Sequence, residues 1–216
     1  MSRRCLAAAS LGLLGVAGLG TAGCDEVGAV YLLVSGPPKV APVYELDTKR
    51  TTTVLIEARD NAAVPESVLN EIRNGVDEIL VDKVDLRDVV RGASVARAAK
   101  AAPDFSLSDL ARAVGADVIV HVRLESYAVS PDGQTFKPVA VMSVRVVDAD
   151  SGEQVYPEGG EPARISASAE PKAGLLPPPG RDAEEQLAGA AWASLLIGQL
   201  FYEHQRLAAA NKGPAT

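Results

Sequence analysis

Few residues of this chain could do chemistry, and their spacing narrows the choice. Its 216 residues include two cysteines and two histidines. Cys24 follows Thr21-Ala22-Gly23, at the end of an apolar stretch that opens with Arg3 and Arg4. A thiol placed there can be exposed by cleavage and then modified. His121 stands beside Arg123 and Glu125, and His204 lies far downstream, so no His or Cys cluster has the ligand spacing of a zinc site. The acidic run Asp148-Ala149-Asp150-Ser151-Gly152-Glu153 has the composition of a calcium loop. It lacks the length and the closing bidentate Glu of one. Asp, Ser and Gly are equally the residues of a hairpin turn, which is the preferred reading. Glu57 and Asp60 could act as an acid–base pair, but nothing separates them from the charged end of a strand. There is no G-x-S-x-G elbow and no P-loop, and the Gly-rich stretch 12–20 lies in the apolar leader. The expectation is no catalytic residue, no metal site and no cofactor.

The leader has a charged start, an apolar stretch over residues 6–19 and small residues at Ala22 and Gly23. It is too short and Gly-rich for a permanent spanning helix, which needs ~20 apolar residues. This arrangement looks like the lipobox of a bacterial lipoprotein precursor, with Thr21 where Leu is usual. The resemblance implies cleavage between Gly23 and Cys24 and acylation of Cys24. The alternative is an ordinary secretory signal with Cys24 a free thiol. Each buried methylene contributes ~0.8 kcal/mol, so the three acyl chains of such a lipoprotein would attach it stably to a membrane, facing the periplasm. Asp25 follows the cysteine. By the rule of enteric bacteria it favours the inner membrane, with the outer membrane as the alternative.

Arg3 and Arg4 lie in that leader, so its removal takes the net charge from −7 to −9. An acidic chain without a basic stripe lacks the electrostatic footprint of a nucleic-acid binder. Cys5 also lies in the leader, so no disulfide can staple the remainder. Aromatic residues make up 4% of a chain that is 47% hydrophobic, so the core must be aliphatic.

The organisation expected is a signal peptide over 1–23, a lipidated N-terminus and tether over 24–50, one α/β domain over 51–209 and a disordered tail over 210–216. The tether reading rests on Gly36-Pro37-Pro38 and Pro42. Residues 29–34 form an apolar patch within it that could dock on the domain. Residues 51–58 read as a buried strand. A helix over 65–81 carries Val68, Leu69, Ile72, Val76, Ile79 and Leu80 at helical spacing. A second strand is expected over 84–90 and a helix over 94–102. Another helix starts at Ser106, capped with Asp109, and stops at Gly115. Val118, Val120, Val122 and Leu124 alternate with polar residues in a strand over 117–127. It pairs through the turn at 130–133 with a strand over 138–148. Short strands follow at 154–156 and 163–169, then a Pro-rich surface loop and a final helix over 182–209. Its apolar middle, of about 16 residues, is short of a membrane span.

Two segments carry a wider likeness. Val114-Gly115-Ala116-Asp117-Val118-Ile119-Val120-His121-Val122 and Val144-Arg145-Val146-Val147-Asp148-Ala149-Asp150-Ser151-Gly152-Glu153-Gln154-Val155-Tyr156 resemble a group of bacterial envelope lipoproteins. The group includes the curli-secretion channel subunit and the lipoprotein activators of penicillin-binding proteins. Val40, Tyr44 and Leu46, with Leu200-Phe201-Tyr202, resemble uncharacterised planctomycete-type lipoproteins. The likeness implies a small mixed sheet with helices packed on it. That agrees with the order β-α-β-α-β-β-β-α read from the residues, and it offers no catalytic residues to carry over.

The function expected is a membrane-anchored, non-enzymatic binding, scaffold or activator module with an envelope protein as partner. Its candidate contacts are Tyr127, Asp132 and Phe136 near the hairpin tip and Pro178 in the Pro-rich loop, although the aromatics could simply pack locally. The alternatives are a secretion-channel subunit and an enzyme with an unrecognised site. A channel would need two long alternating segments of ~10 residues per crossing to build a barrel.

Overall fold

The computed structural model describes residues 39–59, 62, 64–132, 135–169 and 182–205. In chain order its elements are β1 (Lys39–Val40), β2 (Thr52–Ala58), α1 (Glu66–Asp82), β3 (Val89–Val90), α2 (Gly92–Ala101), α3 (Leu107–Val114), β4 (Val118–Ala128), β5 (Val139–Asp148), β6 (Gln154–Tyr156), β7 (Ala163–Ser168), α4 (Asp182–Gly198) and β8 (His204–Gln205).

The sheet is mixed, as the alternating elements require. β2 lies parallel to β3 on one side and to β4 on the other. β4 and β5 form a long antiparallel hairpin, and β6 and β7 both pair with the far side of β5. Strand alternation gives the sheet two faces. On one, Val54, Ile56, Val120, Val122, Leu124, Met142 and Val144 meet the apolar stripe of α1 and Ala190, Ala193 and Ile197 of α4. On the other, Leu55, Ile119 and Val147 meet Val95 and Ala96 of α2 and Leu110 and Ala111 of α3. The expected fold class is therefore the observed one.

Local chemistry accounts for most element ends. The Ser106 hydroxyl accepts from the Asp109 N–H at 3.1 Å, and the Asp109 carboxylate accepts from the Ser106 N–H at 3.2 Å. This capping box starts α3, and Gly115, at φ 77°, ends it in the left-handed conformation that glycine adopts without strain. The hairpin turn after β5 is held by Asp148, which accepts from the Asp150 and Ser151 N–H groups and the Ser151 hydroxyl. Its other oxygen pairs with Arg50 at 2.7 Å. That carboxylate is used in building the turn.

Three expectations are corrected. The strand expected over 84–90 shrinks to Val89–Val90, because Asp85 takes a positive φ of 61° and Leu86 turns into the core. The final helix ends at Gly198, not near 209. There Leu200 and Phe201 fold back into the core, and the chain continues into β8. The tether expected to reach Arg50 is already part of the domain at Lys39. β1 pairs with β8, the Val43 and Tyr44 N–H groups both donate to the Leu200 carbonyl, and Leu46 is buried. Four of the residues read as a family signature, Tyr44, Leu46, Leu200 and Phe201, thus lie in one seam where the 39–46 and 200–205 segments meet. Residues 29–34, the Pro-rich loop and the expected tail lie outside the described residues.

Candidate functional site

The two faces of the sheet are unequally covered. β4 has 11 residues and runs about 37 Å. α2 and α3 have 10 and 8 residues, about 15 and 12 Å each, too short to roof the second face. Beyond them the sheet is open, and its residues turn from apolar to charged.

Two adjoining clefts occupy this opening. One, of about 570 Å³, lies between the sheet and the α2–α3 junction and is lined by Leu55, Phe105, Leu107, Val147, His121 and Arg145. The other, of about 770 Å³, runs over the uncovered strands past Arg59, Arg123, Glu125, Ser143 and Arg164. His121 and Arg145 line both, so the clefts form one groove.

At the junction the buried imidazole of His121 is held from two sides. Arg145 Nε donates to Nδ1 at 3.1 Å, which leaves the ring proton on Nε2, facing the Glu57 carboxylate at 2.9 Å. That hydrogen bond is the main reason the Glu57 carboxyl is held below the usual carboxylate range. Both imidazole nitrogens are engaged by protein groups, so neither is available to move a proton for a substrate in this arrangement. Further along, Arg59 pairs with Glu125 at 3.2 Å, and the Ser143 hydroxyl donates to the same carboxylate.

The open edge of β2 beyond β3 is closed by a different device. β3 pairs only with Thr52 and Thr53. Arg73, buried on α1, donates through Nε and Nη2 to the Ile56 carbonyl at 3.3 and 2.7 Å, and through Nη1 to Glu66 and Asn70. A side chain thus takes the place of a neighbouring strand at this edge.

The sequence-derived contact residues are not brought together in the groove. Tyr127 packs against α4 at Gly189, and its buried hydroxyl has no hydrogen-bond partner among the described residues. Burial pushes its phenol up to about 12. The Asp132 carboxylate accepts from the Ser130 hydroxyl and the Thr135 N–H, so it shapes the turn. Phe136 is half-buried. Gly23, Cys24, Asp60 and Pro178 lie outside the described residues. His204 sits edge-on to Tyr202, near the β1–β8 seam. Sequence reading missed Phe105, Arg145 and Arg164. The available signal was the polar residues 121, 123, 143 and 145 alternating within two strongly apolar strands. The register that brings them together is not visible in one sequence.

Neither a known protein family nor a curated protein sequence matches the chain. Its fold is similar to solved structures at low identity. A PelC dodecamer subunit from Paraburkholderia phytofirmans is 11% identical over 76% of this chain and 96% of its own, with a TM-score of 0.41. Lipoprotein GNA1162 from Neisseria meningitidis is 14% identical over 58% of this chain and 89% of its own, with a TM-score of 0.37. The hypothetical protein CT253 from Chlamydia trachomatis is 13% identical over 69% of this chain and 92% of its own, with a TM-score of 0.43. At these values the likenesses assign neither a family nor an activity to this chain.

Proposed function

We infer that this protein is a lipid-anchored, non-enzymatic binding module of a bacterial envelope. The anchor rests on the leader that ends in Ala22-Gly23-Cys24. The observation that carries the binding role is the groove on the second sheet face, open over β4 and β5, whose opposite face is buried under α1 and α4. Its one histidine is locked between Glu57 and Arg145, which suits recognition better than proton transfer. The β4–β5 hairpin, the longest alternating segment, serves the domain's own sheet and so speaks against a channel role.

The test is crosslinking in cells, followed by affinity capture of the tagged protein from membranes, with Cys24→Ser as the unanchored control. One recurrent partner, lost or weakened in the control, is the expected result. Mass spectrometry of the wild-type chain should show cleavage before Cys24 and an acylated N-terminus. A free monomer in both preparations would reject the binding module, and a chain that keeps an unmodified Cys24 would reject the anchor.

A further inference from the structure

The open part of the groove holds two arginines, Arg123 and Arg164, that make no side-chain hydrogen bond or ion pair among the described residues, beside Arg145, whose Nε is engaged by His121. Arg123 of β4 faces Ser143 of β5, and Ser143 faces Arg164 of β7, so all three stand in one cross-strand row. The two arginines are separated by two strand spacings, about 10 Å. Arg145 lies two residues along β5 on the same face. Among the described residues, none of the three guanidinium groups has a carboxylate within ion-pair distance. The nearby carboxylates are otherwise engaged, Glu57 by His121 and Glu125 by Arg59, while Glu161 stands exposed at the rim. A chain of net charge −7 therefore carries, on one surface, three arginines without an ion pair among the described residues. Guanidinium forks bind carboxylates in bidentate fashion. The adjoining cleft is apolar, with Leu55, Leu107 and Val147 inside and Phe105 50% exposed at its edge.

We propose that this groove binds an acidic polypeptide segment of the partner, its carboxylates on Arg123, Arg145 and Arg164 and a neighbouring apolar side chain against Phe105, Leu107 and Val147. The proposal rests on the binding-module reading and specifies its partner's chemistry. Charge complementarity favours an anion, and the apolar half favours a peptide over an anionic glycan. A glycan lies best on a run of aromatic faces, and Phe105 is the one Phe, Tyr or Trp side chain lining the groove among the described residues.

The test is selection from a displayed library of random heptapeptides on the detergent-solubilised full chain. Selected peptides are then labelled with fluorescein and titrated by anisotropy, with polygalacturonate and inorganic phosphate as parallel probes. Enriched peptides should combine two or more Asp or Glu residues with an apolar residue. Arg123→Gln with Arg164→Gln should weaken their binding by about tenfold or more, as losing charge pairs across an interface does. Phe105→Ala should weaken it less, and circular dichroism should show both variants folded. No acidic enrichment, or equal enrichment on the double variant, overturns the proposal. So does tight binding of polygalacturonate or phosphate without any selected peptide. A failed selection alongside a retained crosslinked partner in cells rejects the acidic segment but leaves the binding module standing, whereas loss of both rejects both.

Discussion

On the sheet face under α1 and α4, the inward positions of β4 from Val118 to Leu124 are all buried. On the opposite face, the alternate positions run from buried Ile119 through buried His121 to exposed Arg123. The same strand thus contributes a uniform core on one side and a gradient from apolar to charged on the other. Helix length explains the difference. α1 and α4, of 17 residues each, run along the sheet, while α2 and α3 stop part-way. The comparison teaches a division of labour: one face holds the fold together, and the other leaves part of its area to charged groups that make no ion pair among the described residues.

The covered face should be the more sensitive to substitution. Ile72 is fully buried on α1, and Ile72→Ala should destabilise the protein by about 3 kcal/mol, the transfer loss plus an unfilled cavity. Denaturant unfolding checks this, and a loss under 1 kcal/mol would erase the contrast between the faces.

A smaller test concerns how closely α1 and α4 approach. A Cβ added at Gly75 would lie 2.6 Å from the Ser194 hydroxyl oxygen and 2.8 Å from its Cβ. That hydroxyl is itself bound to the Ile72 and Ala190 carbonyls, so it cannot swing away freely. Gly75→Ala should therefore cost about 2 kcal/mol by overpacking, although alanine is the better helix former. An unchanged or raised melting temperature would show the contact to be soft.

Two acids sharpen the comparison through pH, with opposite signs. Asp77 on α1 accepts from the Gly92 N–H that opens α2, and its second oxygen is buried without a partner among the described residues. Burial pushes its carboxyl up to about 6. The folded state then holds this proton more tightly than the unfolded chain does. The favourable contribution is complete below the ordinary carboxyl value and is lost as pH rises through about 6. Asp77→Asn should remove that slope and add about 1 kcal/mol at neutral pH, read from melting temperatures between pH 4 and 7. Asp148 behaves in reverse. The Ser151 N–H and then Arg50 lower it to about 2, so its contribution is present above its ordinary value and is lost as pH falls toward 2. Asp148→Asn should cost about 1 kcal/mol at pH 6 after allowance for solvent screening, and little at pH 2.

What the sequence made legible follows the same division. The covered face was readable because its residues repeat with the period of their element: Val68, Leu69, Ile72, Val76 and Leu80 on α1, and Val118 to Leu124 on β4. The α3 boundaries were readable because Ser106, Asp109 and Gly115 act locally. The seam between β1 and β8 was not readable, since they are two residues each and lie far apart in the sequence. The groove was hidden for a related reason. Arg123, Arg145 and Arg164 belong to three strands, and only the register of β4, β5 and β7 makes them neighbours. Asp85 misled because a single left-handed residue ends a pattern that composition reads as strand.

The smallest expected effect is the most telling about the open face. Arg123 and Arg164 are exposed and make no ion pair among the described residues. Substituting both by glutamine should change stability by less than about 0.5 kcal/mol, as for surface positions outside any network. His121→Ala, two residues before Arg123, provides the contrast. It strands Glu57 and Arg145 and should cost about 1 kcal/mol or more, because a partly buried polar group is left unpaired. If the arginine pair proved as costly as His121, these side chains would belong to the fold's own bonding. If it is silent, guanidinium groups aligned across three strands have no structural role to account for them, and recognition of a carboxylate-bearing partner is the role their chemistry fits.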